Sequence, residues 1–175
     1  VPADSLGYWR DRLADAGVDT AAHERFGETV LAFADPDGLP LELVGREAVP
    51  ESNLPEGPVP AGHAVRGFDG VTLTVPDGGP TVDLLERMGY EETGAEAGRR
   101  RFESSGARGS GVDVVVEDGA GSPGAGAVHR VAFTVADDEQ EAWRDLLADA
   151  GLRPTEVIDR TWFHSVYALG GAGVH

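Results

Sequence analysis

Apolar positions along this chain follow two periods. Trp9, Leu13 and Ala16 recur at i, i+4 and i+7, as do Trp143, Leu147 and Ala150. That spacing lines one face of an α-helix. Each run stops at a glycine, Gly17 or Gly151, the residue that most readily takes the left-handed backbone found just past a helix C-terminus. The two runs belong to a repeat: residues 9–18 and 143–152 are identical at eight of ten positions. Their flanks repeat as well. Arg25-Phe26 precedes an extended stretch at 29–33, the turn Asp35-Pro36-Asp37-Gly38 and a strand at 39–44. Asp159-Arg160 precedes an extended stretch at 162–169, then Gly170, Gly171 and Gly173, and a strand beginning at Val174.

A third copy lies between the two. Residues 71–75 alternate as a strand, 81–88 read as a helix stopped at Gly89, and 99–103 and 112–117 read as strands around a Gly/Ser turn. A further strand is predicted at 128–135, ahead of the second repeat helix. The complete unit is therefore strand, helix and three strands, βαβββ. The expected organisation is a partial βαβββ module at 1–47 that lacks its opening strand, a Pro-rich linker at 48–64 and a module at 65–117. A Gly-rich linker at 118–126 and a module at 127–175, cut before its last strand, complete it. The fold class is α+β, with repeated βαβββ modules forming curved mixed sheets. The last two modules are expected to pack edge to edge, burying Leu73, Val75, Val131, Phe133, Leu147 and Val166. The apolar face of the Trp9 helix is expected to be buried within its own module. The uncovered edge of the first module predicts a homo-oligomer, because an unpaired strand edge seeks a partner.

Composition narrows the chemistry. The 175 residues contain no Cys, so disulfides and thiolate metal or redox sites are excluded, and a cytoplasmic location is expected. No apolar run approaches the roughly 18 residues of a membrane helix. Asp+Glu number 31 against 14 Lys+Arg, a formal net charge of -17, and every basic residue is Arg. Such a surface repels phosphate backbones and anionic membranes, so neither nucleic acid nor membrane is an expected partner. An acidic, Lys-free surface suits solubility at high salt, where self-repulsion is screened, and predicts a halophilic protein. Glycine-rich stretches lack the strand–GxGxxG–helix context or a P-loop Lys. The serines lack a nucleophile-elbow setting.

Several segments carry a family resemblance: residues 2–10, 33–44, 63–67, 70–73, 129–133, 157–160 and 165–167. On these, read in order over nearly the whole chain, the sequence resembles the vicinal oxygen chelate superfamily (glyoxalase, bleomycin-resistance and extradiol dioxygenase folds). Within it the nearest likeness is to hydroquinone-type ring-cleaving dioxygenases, and with the acidic surface this suggests a haloarchaeal origin. The resembled proteins have four modules, and this chain corresponds to most of the second plus the third and fourth, so it is expected to be a fragment.

What the resemblance implies is a mononuclear Fe(II) or Mn(II) site built from two His and one carboxylate, with positions left open for substrate and O₂. One His would come from the absent first module. The second is the latter residue of a His-His pair, which here reads His129-Arg130, so Arg130 occupies the ligand position. Guanidinium cannot bind a metal. The carboxylate position falls two residues beyond His175. His129 is the remaining metal candidate, although strand alternation puts it on the opposite face from Arg130; a structural role is its plainer reading. Glu42 lies in a ligand-like register of the second module, where a solvated strand Glu is the plainer reading.

Arg160 and Tyr167 match family positions that hold the phenolate oxygen of the substrate and an oxygen intermediate. With His129 they form the candidate catalytic set. The alternatives for the pair are a surface ion pair and a core tyrosine. His164 stands where the resembled motif often has Arg. His23, His63 and His175 read as ordinary surface or linker residues. The implied activity of the intact protein is metal-dependent insertion of O₂ into a hydroquinone or catechol ring, with the chain alone inactive and weak in metal binding. The rivals are a metal-free ligand-binding or resistance module, favoured by Arg130, and a glyoxalase-like isomerase or lyase using a non-redox metal.

The charge analysis makes one prediction. Thermal melts should show a midpoint that rises from low salt to molar KCl; a flat or falling midpoint would remove the halophilic reading.

Overall fold

The computed structural model describes residues 1–50, 57–105, 111–118, 128 and 130–168. The chain divides into two compact units, one holding Val1–Asp69 and the other beginning at Gly70.

In the first unit a short 3₁₀ turn, Ala3–Ser5, leads into helix α1, Leu6–Asp15. Strands β1 (Ala21–Arg25), β2 (Glu28–Ala34) and β3 (Pro40–Val44) follow and pair antiparallel in the order β1-β2-β3. Helix α1 ends as the sequence expects: Gly17 takes φ +77°, and the Val18 N–H donates to the Leu13 carbonyl at 2.9 Å. Strand β1 was not anticipated, because Ala21-Ala22-His23-Glu24-Arg25 shows no apolar alternation. It forms because Phe26 and Gly27, at φ 50° and 77°, close a tight hairpin onto β2. Two central residues with positive φ match the twist of the paired strands. Val30, Leu31 and Val44 are buried, and Val30 lies opposite Val44 across the β2–β3 pair. On α1, Trp9 and Leu13 are half-buried and none is fully covered. The Trp9 indole N–H donates to the His63 carbonyl at 2.8 Å, a contact within its own unit.

The second unit begins with strand β4 (Gly70–Val75) and helix α2 (Gly78–Arg87). Strands β5 (Glu91–Glu96), β6 (Arg99–Glu103) and β7 (Gly111–Val116) follow. The sheet order is β4-β7-β6-β5, with β4 parallel to β7 and the other pairs antiparallel. Asp77 caps α2, its side chain accepting from the Gly79 N–H at 2.9 Å, which satisfies one of the orphan donors of the first turn. Strand β5 repeats the lesson of β1. Its polar residues are strand because Ala97 and Gly98, at φ 49° and 80°, fold it back on β6.

Val75, Val82, Leu85, Tyr90, Phe102, Val112 and Val114 make one buried cluster between α2 and the sheet. Alternation sends Asp113 to the other face. There it is 6% exposed and takes the Arg101 guanidinium through Nε at 2.8 Å and Nη2 at 3.1 Å. Arg99 reaches the same carboxylate at 3.2 Å. A buried charge needs such pairing.

Helix α3 (Gln140–Asp149) follows a 3₁₀ turn at Asp137–Glu139. The two-residue strands β8 (Ile158–Asp159) and β9 (His164–Ser165) then pair antiparallel. Here the expectation is corrected. Residues 130–136 form no strand, since no neighbour pairs with them among the described residues. The extended stretch expected at 162–169 is strand only at β9; residue 169 lies outside the described residues. The burial expectation changes with it. Val75 is buried, whereas Leu73, Val131, Leu147 and Val166 are half-buried. Phe133 is 39% exposed, touching the Tyr90 ring edge-on with centroids 6.1 Å apart. Without a sheet under it, its ring is covered on one side only. No helix of the described residues is long and apolar enough to cross a membrane.

These positions should separate in denaturant unfolding. Phe102→Ala, which empties a fully buried site, is expected to cost about 3–5 kcal/mol. Phe133→Ala should cost about 1 kcal/mol or less. Equal costs would contradict the burial difference.

Candidate functional site

The residues singled out near the C-terminal repeat come together around one hairpin. Asp159 Oδ1 accepts from the Thr161 N–H at 2.7 Å, and the Arg160 N–H donates to the Phe163 carbonyl at 2.9 Å. With Thr161 at φ 72°, this closes the turn between β8 and β9. It stands where Arg25-Phe26 stands in the first repeat, so Arg160 is the structural counterpart of Arg25. Thr155 fixes the other side. Its N–H donates to the Tyr167 carbonyl at 2.8 Å, and its hydroxyl accepts from the Tyr167 N–H at 3.1 Å.

These backbone ties bring Arg160 against Tyr167. Arg160 Nη2 lies 3.4 Å from the Tyr167 hydroxyl oxygen, and its guanidinium carbon lies 5.4 Å from the ring centroid. Arg130 joins them, 4.8 Å from the same centroid. Both are cation–π distances. The Tyr167 phenol is held below the ordinary tyrosine range. The adjacent Ser165 hydroxyl contributes most, then the Arg160 charge and hydrogen bond, then the Arg130 charge, while partial desolvation opposes them. The Ser165 hydroxyl is shielded from solvent and has no partner of full hydrogen-bond geometry among the described residues, so its influence on Tyr167 is one of proximity. Arg supplies a fixed charge that does not titrate in this range.

The other candidates fall elsewhere. His129 and His175 lie outside the described residues. His164 is 4.0 Å from Asp137 Oδ1 through Nδ1, and its carbonyl accepts from Gln140 Nε2 at 3.5 Å, on the hairpin but away from the Arg–Tyr contacts. His23 is exposed on β1. Glu42 is an exposed strand residue, as expected, but its carboxylate is not free: both oxygens meet the buried Arg25, with Nη1–Oε1 at 2.8 Å. A carboxylate gripped bidentately by guanidinium is spent as a ligand. His63 is not an ordinary linker residue either. Its ring stacks on Tyr8 at 4.3 Å between centroids, and Nδ1 lies 3.0 Å from the Ser5 hydroxyl. Ser5 is fully buried, so this Ser–His contact ties α1 to the Ala61–His63 turn and offers no nucleophile. Nothing in the spacing of Ser5 and His63 signalled it.

A metal finds no ligand set among the described residues, which contain no group of three or more His, Asp or Glu placed to hold one. Arg130, in the position that the resemblance assigns to a His ligand, lies against an aromatic ring instead.

Tyr167 should report this environment directly. Ultraviolet difference titration of the wild type against Tyr167→Phe is expected to show a phenolate appearing below the reference value of about 10. Arg160→Gln should move it upward. A pKa lowered by folding contributes stability that is present above the unfolded pKa and lost as pH falls through the folded one. The wild type should therefore gain stability over Tyr167→Phe as pH rises through this alkaline range. An unshifted Tyr167 would refute the electrostatic picture.

No protein-family model matches the chain. Over 95% of its length it is 38% identical to a Bacillus subtilis (strain 168) protein that carries the name ring-cleaving dioxygenase MhqO, covering 54% of that protein. It is 28% identical over 99% of its length to the chlorohydroquinone/hydroquinone 1,2-dioxygenase of Sphingobium indicum, covering 58% of that protein. The crystal structure of a Bacillus subtilis protein described as a dioxygenase superimposes on 99% of the chain with TM-score 0.92 and 36% identity, and the chain covers 57% of it. The chain thus spans a little over half the length of the relatives it matches. Along nearly its whole length it is a homologue of proteins named as ring-cleaving dioxygenases, and it has their glyoxalase-type fold.

Proposed function

We propose that the chain forms part of a ring-cleaving dioxygenase-type site acting on a small hydroxyaromatic, a hydroquinone or catechol, with O₂. The observation that carries this reading is the Arg160–Tyr167 pair at 3.4 Å, with its phenol shifted toward ionisation. The relatives' names support the reaction class, and the printed substrate of the Sphingobium protein supports the substrate class.

In this reading Arg160 supplies a fixed positive charge against the substrate's phenolate oxygen, so the substrate binds as its anion. Tyr167, its phenol held below the ordinary tyrosine range, offers a hydroxyl that can donate a hydrogen bond to that anion. Dioxygen chemistry of this type calls for a redox-active metal, Fe(II) or Mn(II). The described residues do not fit one, and no step here is routed through it.

Calorimetric binding of hydroquinone tests the reading. Arg160→Gln should weaken binding about tenfold, the loss of one charge-assisted hydrogen bond. Tyr167→Phe should weaken binding less than Arg160→Gln does, since it removes a hydroxyl and leaves the charge. Hydroquinone bound equally by wild type and Arg160→Gln would overturn the assignment.

A further inference from the structure

Arg130 and Arg160 stand out among the described arginines in converging on one aromatic ring. Arg25, Arg46, Arg99, Arg100, Arg101 and Arg144 each meet a carboxylate. Neither Arg130 nor Arg160 has a carboxylate partner among the described residues, although the chain carries 31 acids. Both instead converge on the Tyr167 ring, at 4.8 and 5.4 Å. Both are exposed. A protein of net charge -17 repels anions from its surface generally, so holding one requires local, unneutralised cations. Arg130 and Arg160 are two such cations held against a single ring. Arg130 contributes a fixed charge at the position where the family resemblance expects a metal ligand.

We propose that Arg130 and Arg160 form a metal-independent site beside Tyr167 for a small aromatic monoanion, a phenolate or an aromatic carboxylate. The inference rests on the reading of Arg160 and Tyr167 as the substrate site. It adds that Arg130 supplies the second charge. Guanidinium suits this because it can stack its plane on an aromatic face while its N–H edge remains available to an anionic oxygen. The ligand's ring would lie near Tyr167 and its negative oxygen near the two guanidinium edges. The contacts are non-covalent and no bond is made or broken.

Calorimetry in EDTA, with 4-nitrophenolate and benzoate as anionic probes and 4-nitroanisole as a neutral one, decides it. At least one anion should bind at least tenfold more tightly than the ether. Arg130→Gln should weaken that binding about tenfold, with a thermal melt like that of the wild type. Arg130→Lys should restore part of it, since the charge returns without the planar stack. No selectivity for either anion over the ether, loss of anion binding in EDTA, or an Arg130→Gln variant that binds like the wild type would each overturn the proposal. If Arg130→Gln has no effect while Arg160→Gln still weakens hydroquinone binding, the two-arginine site falls and the dioxygenase-type reading stands. If neither variant changes the binding of any probe, both fall.

Discussion

The constraint on which much of this structure depends is left-handed backbone at a hairpin turn, found three times among the described residues. Phe26-Gly27 and Ala97-Gly98 both carry positive φ, and Thr161 carries it at the third hairpin. Left-handed backbone is costly at non-glycine residues, and Phe, Ala and Thr accept it here because the turn fixes the register of the strands on either side. In the first two cases the turn recruits a polar strand, β1 or β5, that has little apolar reason to join a sheet. In the third it aims Arg160 back toward Tyr167. Left-handed backbone at a turn thus serves sheet formation at β1–β2 and β5–β6 and site construction at β8–β9.

Arginine carries the electrostatics. Arg25–Glu42 and Arg101–Asp113 are pairs between strands with two contacts each, the second buried on both sides. Arg46 meets both Glu28 and Asp69. Planar, forked guanidinium suits these paired contacts better than the point charge of lysine. Removing one partner of a buried pair is costly, whereas the pair itself adds modest net stability. These arginines therefore specify registry. Arg130 and Arg160 use the same group differently, placing charge on a phenol where no acid answers it.

The distribution of order within the second unit follows the supply of strand partners. Where β4, β7, β6 and β5 pair continuously, Phe102 and Val112 are fully buried beneath α2. Around α3 the described strands are two residues long, and Phe133 and Trp162 remain exposed at 39% and 91%. Apolar character alone did not bury them, since burial requires a surface to cover the side chain.

The sequence by itself determined the helices and where they stop, while α2 begins at Gly78, three residues before the expected start. The 3.6-residue period of Trp9, Leu13 and Ala16 and the glycine after each helix are local properties, and they recur in α1 and α3. It also determined the strands β2, β3, β4, β6 and β7, whose apolar runs are bounded by turns, and it singled out Arg160 and Tyr167 through the repeat and the family motif. Tertiary structure decided the rest. Strands β1 and β5 were illegible because turn geometry and a neighbouring strand, not apolar periodicity, make them strands. Residues 130–136 read as a strand by alternation but find no partner in the described structure, and a strand exists only through its ladder. Glu42 is exposed as its strand position suggested, but its pairing with Arg25 was visible only once the chain was folded. His63 looked ordinary until Ser5 and Tyr8 closed around it. The contact of Arg130 with Tyr167 joins residues far apart along the chain, so only the folded backbone determines where that charge falls.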